Sequence, residues 1–142
     1  MHTSIKLILI VLALSGGFFA SDIIKWFQSP QANITLDSYC LVTTAGCQQD
    51  GIRVTADRDT TQPLAPTQLT VDWPNSSSET LFLTLQGYEM NMGKSVFKLD
   101  KNPQGHFAGQ VVLPVCTSDA MTWYGTISDQ ARSINISIRM ER

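Results

Sequence analysis

The chain has 142 residues, of which 43% are hydrophobic and 15% are charged, and its formal net charge is −2. This length fits one domain of ordinary size and excludes two, and the low charge excludes the basic surface that nucleic-acid binding requires. The hydrophobic fraction excludes a disordered chain and suffices for one packed core.

The first 28 residues predict a membrane anchor or a signal segment. Lys6 precedes an apolar run, LILIVLAL, at residues 7–14. The run reaches the roughly 20 residues of a membrane span only if its apolar flanks join it; cleavage after Gly17 is the alternative. We favour a retained anchor in the bacterial inner membrane that holds the domain in the periplasm, with a cleaved periplasmic form as second choice. Both interpretations export the domain.

A linker at residues 29–33 leads to a domain at residues 34–142 in which apolar and polar side chains alternate between turn-forming residues. The clearest turn is DKNPQG at residues 100–105. The segment at residues 34–42 leans apolar, and the predicted strands are residues 51–56, 67–73, 80–86, 94–99, 107–113, 121–127 and 133–140. About seven or eight short strands predict an all-β fold, an Ig-like antiparallel β-sandwich preceded by one N-terminal hydrophobic helix.

Three cysteines leave one thiol over if two of them pair. Cys40 and Cys47 bracket the segment LVTTAG, a spacing that favours a structural disulfide over a chelating or redox pair, and Cys116 would then be the free thiol. Considered alone, Cys116 is most readily half of a disulfide; a thiolate ligand and a small buried side chain are its alternatives. The sequence leaves the pairing open.

Soft donor atoms are concentrated at residues 87–123, where Met90, Met92, His106 and Cys116 lie. Thioether, thiol and imidazole groups are the ligands that select copper, above all Cu(I). In an extended strand Met90 and Met92 point the same way, and hairpin pairing would bring His106 beside them. These four residues are therefore the candidate metal ligands. The alternatives are apolar packing for the methionines and a solvated turn position for the histidine.

Catalytic motifs are absent from the sequence. His2 and His106 are its only histidines, and it contains no G-x-S-x-G elbow, H-E-x-x-H motif or P-loop. We therefore predict that the protein is not an enzyme.

The order MNMG, turn, G-H-F, LP-x-C and M-x-W resembles the FixH-like and YtkA-like group of small exported domains. The resemblance covers roughly residues 66–128, and its specific content is Met90–Gly93, Gly105 with Phe107, Leu113-Pro114 and Trp123. It implies an N-terminal membrane helix, an Ig-like sandwich and a role as an accessory to copper or cytochrome oxidase assembly. The sequence departs from the group at Lys94, where a histidine is common.

Two functions follow as hypotheses. The first is a membrane-anchored periplasmic accessory protein that binds Cu(I) or assists the assembly of a copper-dependent respiratory oxidase, its membrane-protein partner. The second is a metal-free interaction module that contacts a membrane-protein partner through an exposed edge or loop.

Overall fold

A computed structural model describes residues 2–27 and 34–142. The chain divides into two compact units between Ile34 and Thr35. The first contains helix α1 (His2–Phe27). Among the described residues, no helix combines the length and the apolar character needed to cross a membrane. The linker predicted at residues 29–33 lies outside the described residues.

The second unit is a single nine-stranded sheet, preceded by one 3-10 turn at Leu36–Ser38. Its strands are β1 (Cys40–Leu41), β2 (Cys47–Gln49), β3 (Ile52–Ala56), β4 (Thr67–Asp72), β5 (Thr80–Gly87), β6 (Lys94–Lys101), β7 (Phe107–Val111), β8 (Ala120–Ser128) and β9 (Ser133–Glu141). They lie in the order β1-β9-β8-β5-β6-β7-β4-β3-β2. Every pairing is antiparallel except that of β1 with β9.

The sheet curls until its two ends almost meet. A disulfide joins Cys40 of β1 to Cys47 of β2, which are the first and last strands of the order. Beside it, the Gln49 side chain accepts a hydrogen bond from the Asn135 backbone N–H of β9. Thr61, from the segment between β3 and β4, also pairs with β9. The result is a nearly closed, barrel-like sheet in which the first and last strands of the order are linked.

Inward-facing side chains of the sheet form one hydrophobic core. Trp123 and Phe107 are the largest fully buried side chains, and burial of such a side chain contributes about 1.5–3 kcal/mol. The alternation predicted for β9 places its four apolar residues inside, namely Ile134, Ile136, Ile138 and Met140. Because apolar side chains recur at every second residue, one face of each such strand is buried and the chain folds as a sheet around this core.

The prediction of an all-β domain behind one N-terminal helix is confirmed. The seven predicted strands correspond to β3 to β9. A sandwich of seven or eight strands is not confirmed, because nine strands are continuous in one sheet. The two additional strands, β1 and β2, are only two and three residues long, too short for an alternation pattern to reveal.

Candidate functional site

The loop between β5 and β6, residues 88–93, is the candidate functional site, and we call it the methionine loop. It contains Tyr88, Met90 and Met92, whose exposed fractions are 47%, 38% and 37%. Both methionines lie outside any strand, so the expectation that an extended strand orients them alike does not apply.

The methionine loop is fixed to the start of β8 by two hydrogen bonds to the backbone of Thr122. Tyr88 donates its N–H to the Thr122 carbonyl at 2.9 Å, and the Glu89 carboxylate accepts the Thr122 N–H at 2.7 Å. Gly87 makes this fold possible, because a Cβ there would collide with Met121 Cε and with the Met90 carbonyl oxygen. The loop thus has a defined conformation at its first half.

The second half of the loop is a tight turn. The Asn91 side chain accepts the Gly93 N–H at 3.1 Å, and Gly93 has φ +79°, a left-handed conformation that favours glycine. The glycine of the Met-x-Met-Gly motif is therefore favoured by the turn itself, whatever the methionines bind.

All three tyrosines of the chain meet beside the loop. The Tyr39 and Tyr88 rings lie edge-to-face against Tyr124, with ring centroids 5.4 and 6.0 Å away. The Gln86 amide donates a hydrogen bond to the Tyr124 hydroxyl. Burial, and secondly the neighbouring Tyr124, raises the pKa of Tyr39, so its hydroxyl stays protonated at neutral pH.

A charged cluster lies next to the tyrosines. Arg139 donates to the Thr122 hydroxyl at 2.9 Å and to Glu141 at 3.2 Å, and lies 3.6 Å from Glu89. One guanidinium thus faces two carboxylates, which leaves the cluster acidic. An adjacent groove of about 290 Å³ is lined by Leu36, Asp37, Tyr39, Leu41, Thr122, Ser137 and Arg139.

His106 is not brought to the methionine loop. It follows the turn at the far end of β6. Its ring Nδ1 lies 3.6 Å from the Asp72 carboxylate, and its backbone N–H donates to the Asn102 side-chain oxygen at 3.0 Å. The seven residue steps of β6 separate the two ends by about 23 Å at about 3.3 Å per step. Met90, Met92 and His106 therefore do not form a common site in this structure.

Cys116 lies in the β7–β8 connection, which leads into β8 at the same end of the sheet as the methionine loop. Its free thiol is buried and lies 3.4 Å from the Ser118 carbonyl, to which it donates. The disulfide role favoured for Cys116 alone is wrong, because Cys40 pairs with Cys47 as the spacing indicated. Met121, inside the same end, is fully buried.

Sequence reasoning missed Tyr88, Glu89 and Arg139. The available signal was the placement of an aromatic and an acidic residue directly before Met90. Within the described residues, no group of three or more His, Cys, Asp or Glu side chains is arranged to hold a metal ion.

Comparison of the chain with protein-family models, curated proteins and solved structures finds no match. The resemblance to the FixH-like and YtkA-like group therefore stays a prediction.

Proposed function

We propose that this protein is an interaction module that binds a protein partner through its methionine loop. The observation that carries the proposal is a hydrogen-bonded loop that presents Tyr88, Met90 and Met92 to solvent. Tyrosine and methionine are enriched at interfaces, where the first supplies rigid contact area and the second adapts its shape. Fixing the loop in advance reduces the entropy lost on binding.

The proposed partner is a membrane protein outside the cytoplasm. The Cys40–Cys47 disulfide supports an oxidising compartment, the periplasm if the source is bacterial. The function of α1 as anchor or cleaved signal remains a prediction, which intact-mass measurement of the exported protein would decide.

Photo-crosslinking in the producing cell tests the interaction. A photoreactive residue at Met90 should give a discrete adduct with one membrane protein, whereas the same residue at Gln130, which is exposed at the opposite end of the sheet, should not. The adduct at Met90 should weaken when Tyr88 is replaced by alanine. Equal adducts at both positions, or none at either, would contradict the proposal.

Cu(I) binding by Met90 and Met92 is the second candidate function. It is supported by the exposure of both thioethers on one loop, where they need no deprotonation to ligate. In this proposal His106 takes no part in the same site, and Cys116 would join only if its buried thiol became accessible. The related role in copper-oxidase assembly rests on the sequence resemblance alone.

A double substitution separates the two functions. Met90→Leu with Met92→Leu keeps the apolar volume and removes both sulfur atoms, so Cu(I) affinity should fall by at least about tenfold. Because position 90 is leucine in this variant, the photoreactive residue is placed at Tyr88, and the crosslinked adduct should persist. Unchanged Cu(I) affinity in the double variant would eliminate the metal function. Loss of the adduct, with Cu(I) affinity also lost, would favour the metal function.

We also propose that the curled sheet acts as two packed halves, in the manner of a sandwich. The support is that β6 and β7 pair over two residue pairs only, Asp100↔Ala108 and Lys101↔Phe107. Continuous β6–β7 pairing in solution, detected as slow hydrogen exchange at Lys94 and Val96, would contradict this.

A further inference from the structure

One edge of β6 lacks a partner strand over most of its length. On one side, β6 pairs with β5 from Gln86↔Lys94 to Thr80↔Asp100. On the other side, β7 pairs with it only at Asp100 and Lys101. The ladder between β6 and β7 therefore does not extend to residues 94–99.

The direction of the backbone groups identifies which residues could be paired there. Asn102 donates its N–H to the His106 carbonyl at 2.7 Å on the β7 side. Alternate residues of a strand direct both backbone groups to the same edge, so Lys94, Val96 and Lys98 also face the β7 side. Within residues 34–142, the backbone groups of Lys94 and Val96 have no hydrogen-bond partner.

Gly109 marks the point at which β7 leaves this edge. A Cβ at Gly109 would collide with the Lys98 carbonyl oxygen, so the β6 and β7 backbones are in contact at this point. Beyond that contact the edge is open to solvent, and Val96 is 61% exposed. The opening lies at the β6 end nearest the methionine loop.

The side chains at the open edge have a distinct chemistry. Lys94, Val96 and Lys98 are all exposed and project from the same outer face. Edge lysines discourage pairing with a second copy of the same strand, because like charges would lie opposite each other. They favour a strand that places carboxylates opposite the lysines and an apolar side chain opposite Val96.

We propose that residues 94–98 of β6 form a docking edge for an extended partner segment in which every second residue, on the face shared with Lys94, Val96 and Lys98, is in turn acidic, apolar and acidic. The segment would add to the sheet by main-chain hydrogen bonds to Lys94 and Val96, while the lysines select its charge pattern. This proposal shares with the proposed function the binding of a protein, but uses a surface that does not require the methionines.

A peptide-binding experiment on the full chain tests the docking edge. The probe is a fluorescein-labelled nine-residue peptide with the repeat glutamate-threonine-valine-threonine, so that glutamate and valine alternate along one face of the extended peptide. In the control peptide, lysine replaces each glutamate. Fluorescence anisotropy should show binding of the acidic peptide only, and binding should weaken as salt rises. Amide resonances of Lys94 and Val96 should shift most in its presence.

Two substitutions locate the site. Val96→Pro removes an N–H that faces away from β5, so the β5–β6 ladder is retained and affinity should fall by about tenfold. Lys94→Glu should also weaken binding, whereas Arg58→Glu, the same charge change in the loop between β3 and β4, should not. If Val96→Pro misfolds, a peptide with N-methylated backbone amides replaces it, and wild-type protein should fail to bind that peptide.

Three outcomes would overturn the docking edge. The first is equal binding of the acidic and basic peptides, and the second is full affinity both in Val96→Pro and for the N-methylated peptide. The third is a self-association of the protein that Val96→Pro abolishes, which would make a second copy the occupant. Met90→Ala with Met92→Ala should keep full peptide affinity. Peptide binding lost only in that variant would transfer the site to the methionine loop, so failure of this proposal is distinguishable from failure of the proposed function.

Discussion

Gly125 shows how a single residue sets the approach of β5 and β8. A Cβ at this position would overlap the Thr84 carbonyl oxygen and come within 3.0 Å of Leu85 Cα. Backbone cannot give way as a flexible side chain can, so we expect Gly125→Ala to destabilise the fold by at least about 3 kcal/mol. Chemical denaturation measures this. Gly93→Ala is the control: its strain is limited to a left-handed φ in open space, so its cost should be about 1 kcal/mol.

Asp129 links stability to pH at the turn between β8 and β9. Burial alone would raise the pKa of this carboxyl, whose residue is 6% exposed, but N–H donors of Arg132 and Ala131, the Ser76 hydroxyl and the Arg132 charge outweigh it and lower the pKa. Because the folded pKa lies below the unfolded value of about 3.9, the stabilisation is present above that value and is lost as pH falls through the folded pKa.

Asp129→Asn tests this coupling. At neutral pH the substitution should lower the free energy of unfolding by about 1–2 kcal/mol, and the difference from wild type should shrink as pH falls below about 4. Denaturation midpoints across that range measure it. A constant difference at every pH would show that the carboxylate charge contributes nothing.

Among the elements, the two edge strands depend most on the disulfide. β1 pairs with β9 over only two residues, and the Cys40–Cys47 bond ties it to β2 at the opposite end of the sheet order. Closing so short a loop stabilises by about 2.5 kcal/mol in the chain-entropy account. We expect Cys40→Ser with Cys47→Ser to lower the free energy of unfolding by about that amount.

Hydrogen exchange should show where the loss occurs. The Val42 N–H donates to Ser137 and the Ala56 N–H donates to Thr43, so both amides should exchange faster in the double variant, while amides of the β5–β6 ladder should not. Cys116→Ser is the matched control, because that thiol forms no disulfide. Uniformly faster exchange across the sheet would mean that the bond stabilises the whole fold rather than its seam.

The long strands were predictable because apolar and polar residues alternate along each of them, as they do in the Ser133–Glu141 strand. The parallel β1–β9 pairing was not, since it depends on a contact between residues about a hundred positions apart that no local pattern encodes. The candidate ligands failed to converge for a different reason. The predicted strand at residues 94–99 already separated His106 from Met92, and its length was readable from the sequence.

At the scale of the whole molecule, the β unit carries its own core. Every buried hydrophobic residue among the described ones lies between Val42 and Met140, and the chain divides between Ile34 and Thr35. A chain that begins at Ile34 should therefore fold alone, with the thermal midpoint and near-ultraviolet circular dichroism of the full chain. Differential scanning calorimetry and denaturant titration of both chains measure this, and matched denaturant m-values would show equal burial on folding. A midpoint several degrees lower in the shorter chain, or a smaller m-value, would mean that residues 1–33 contribute to the stability of the sheet.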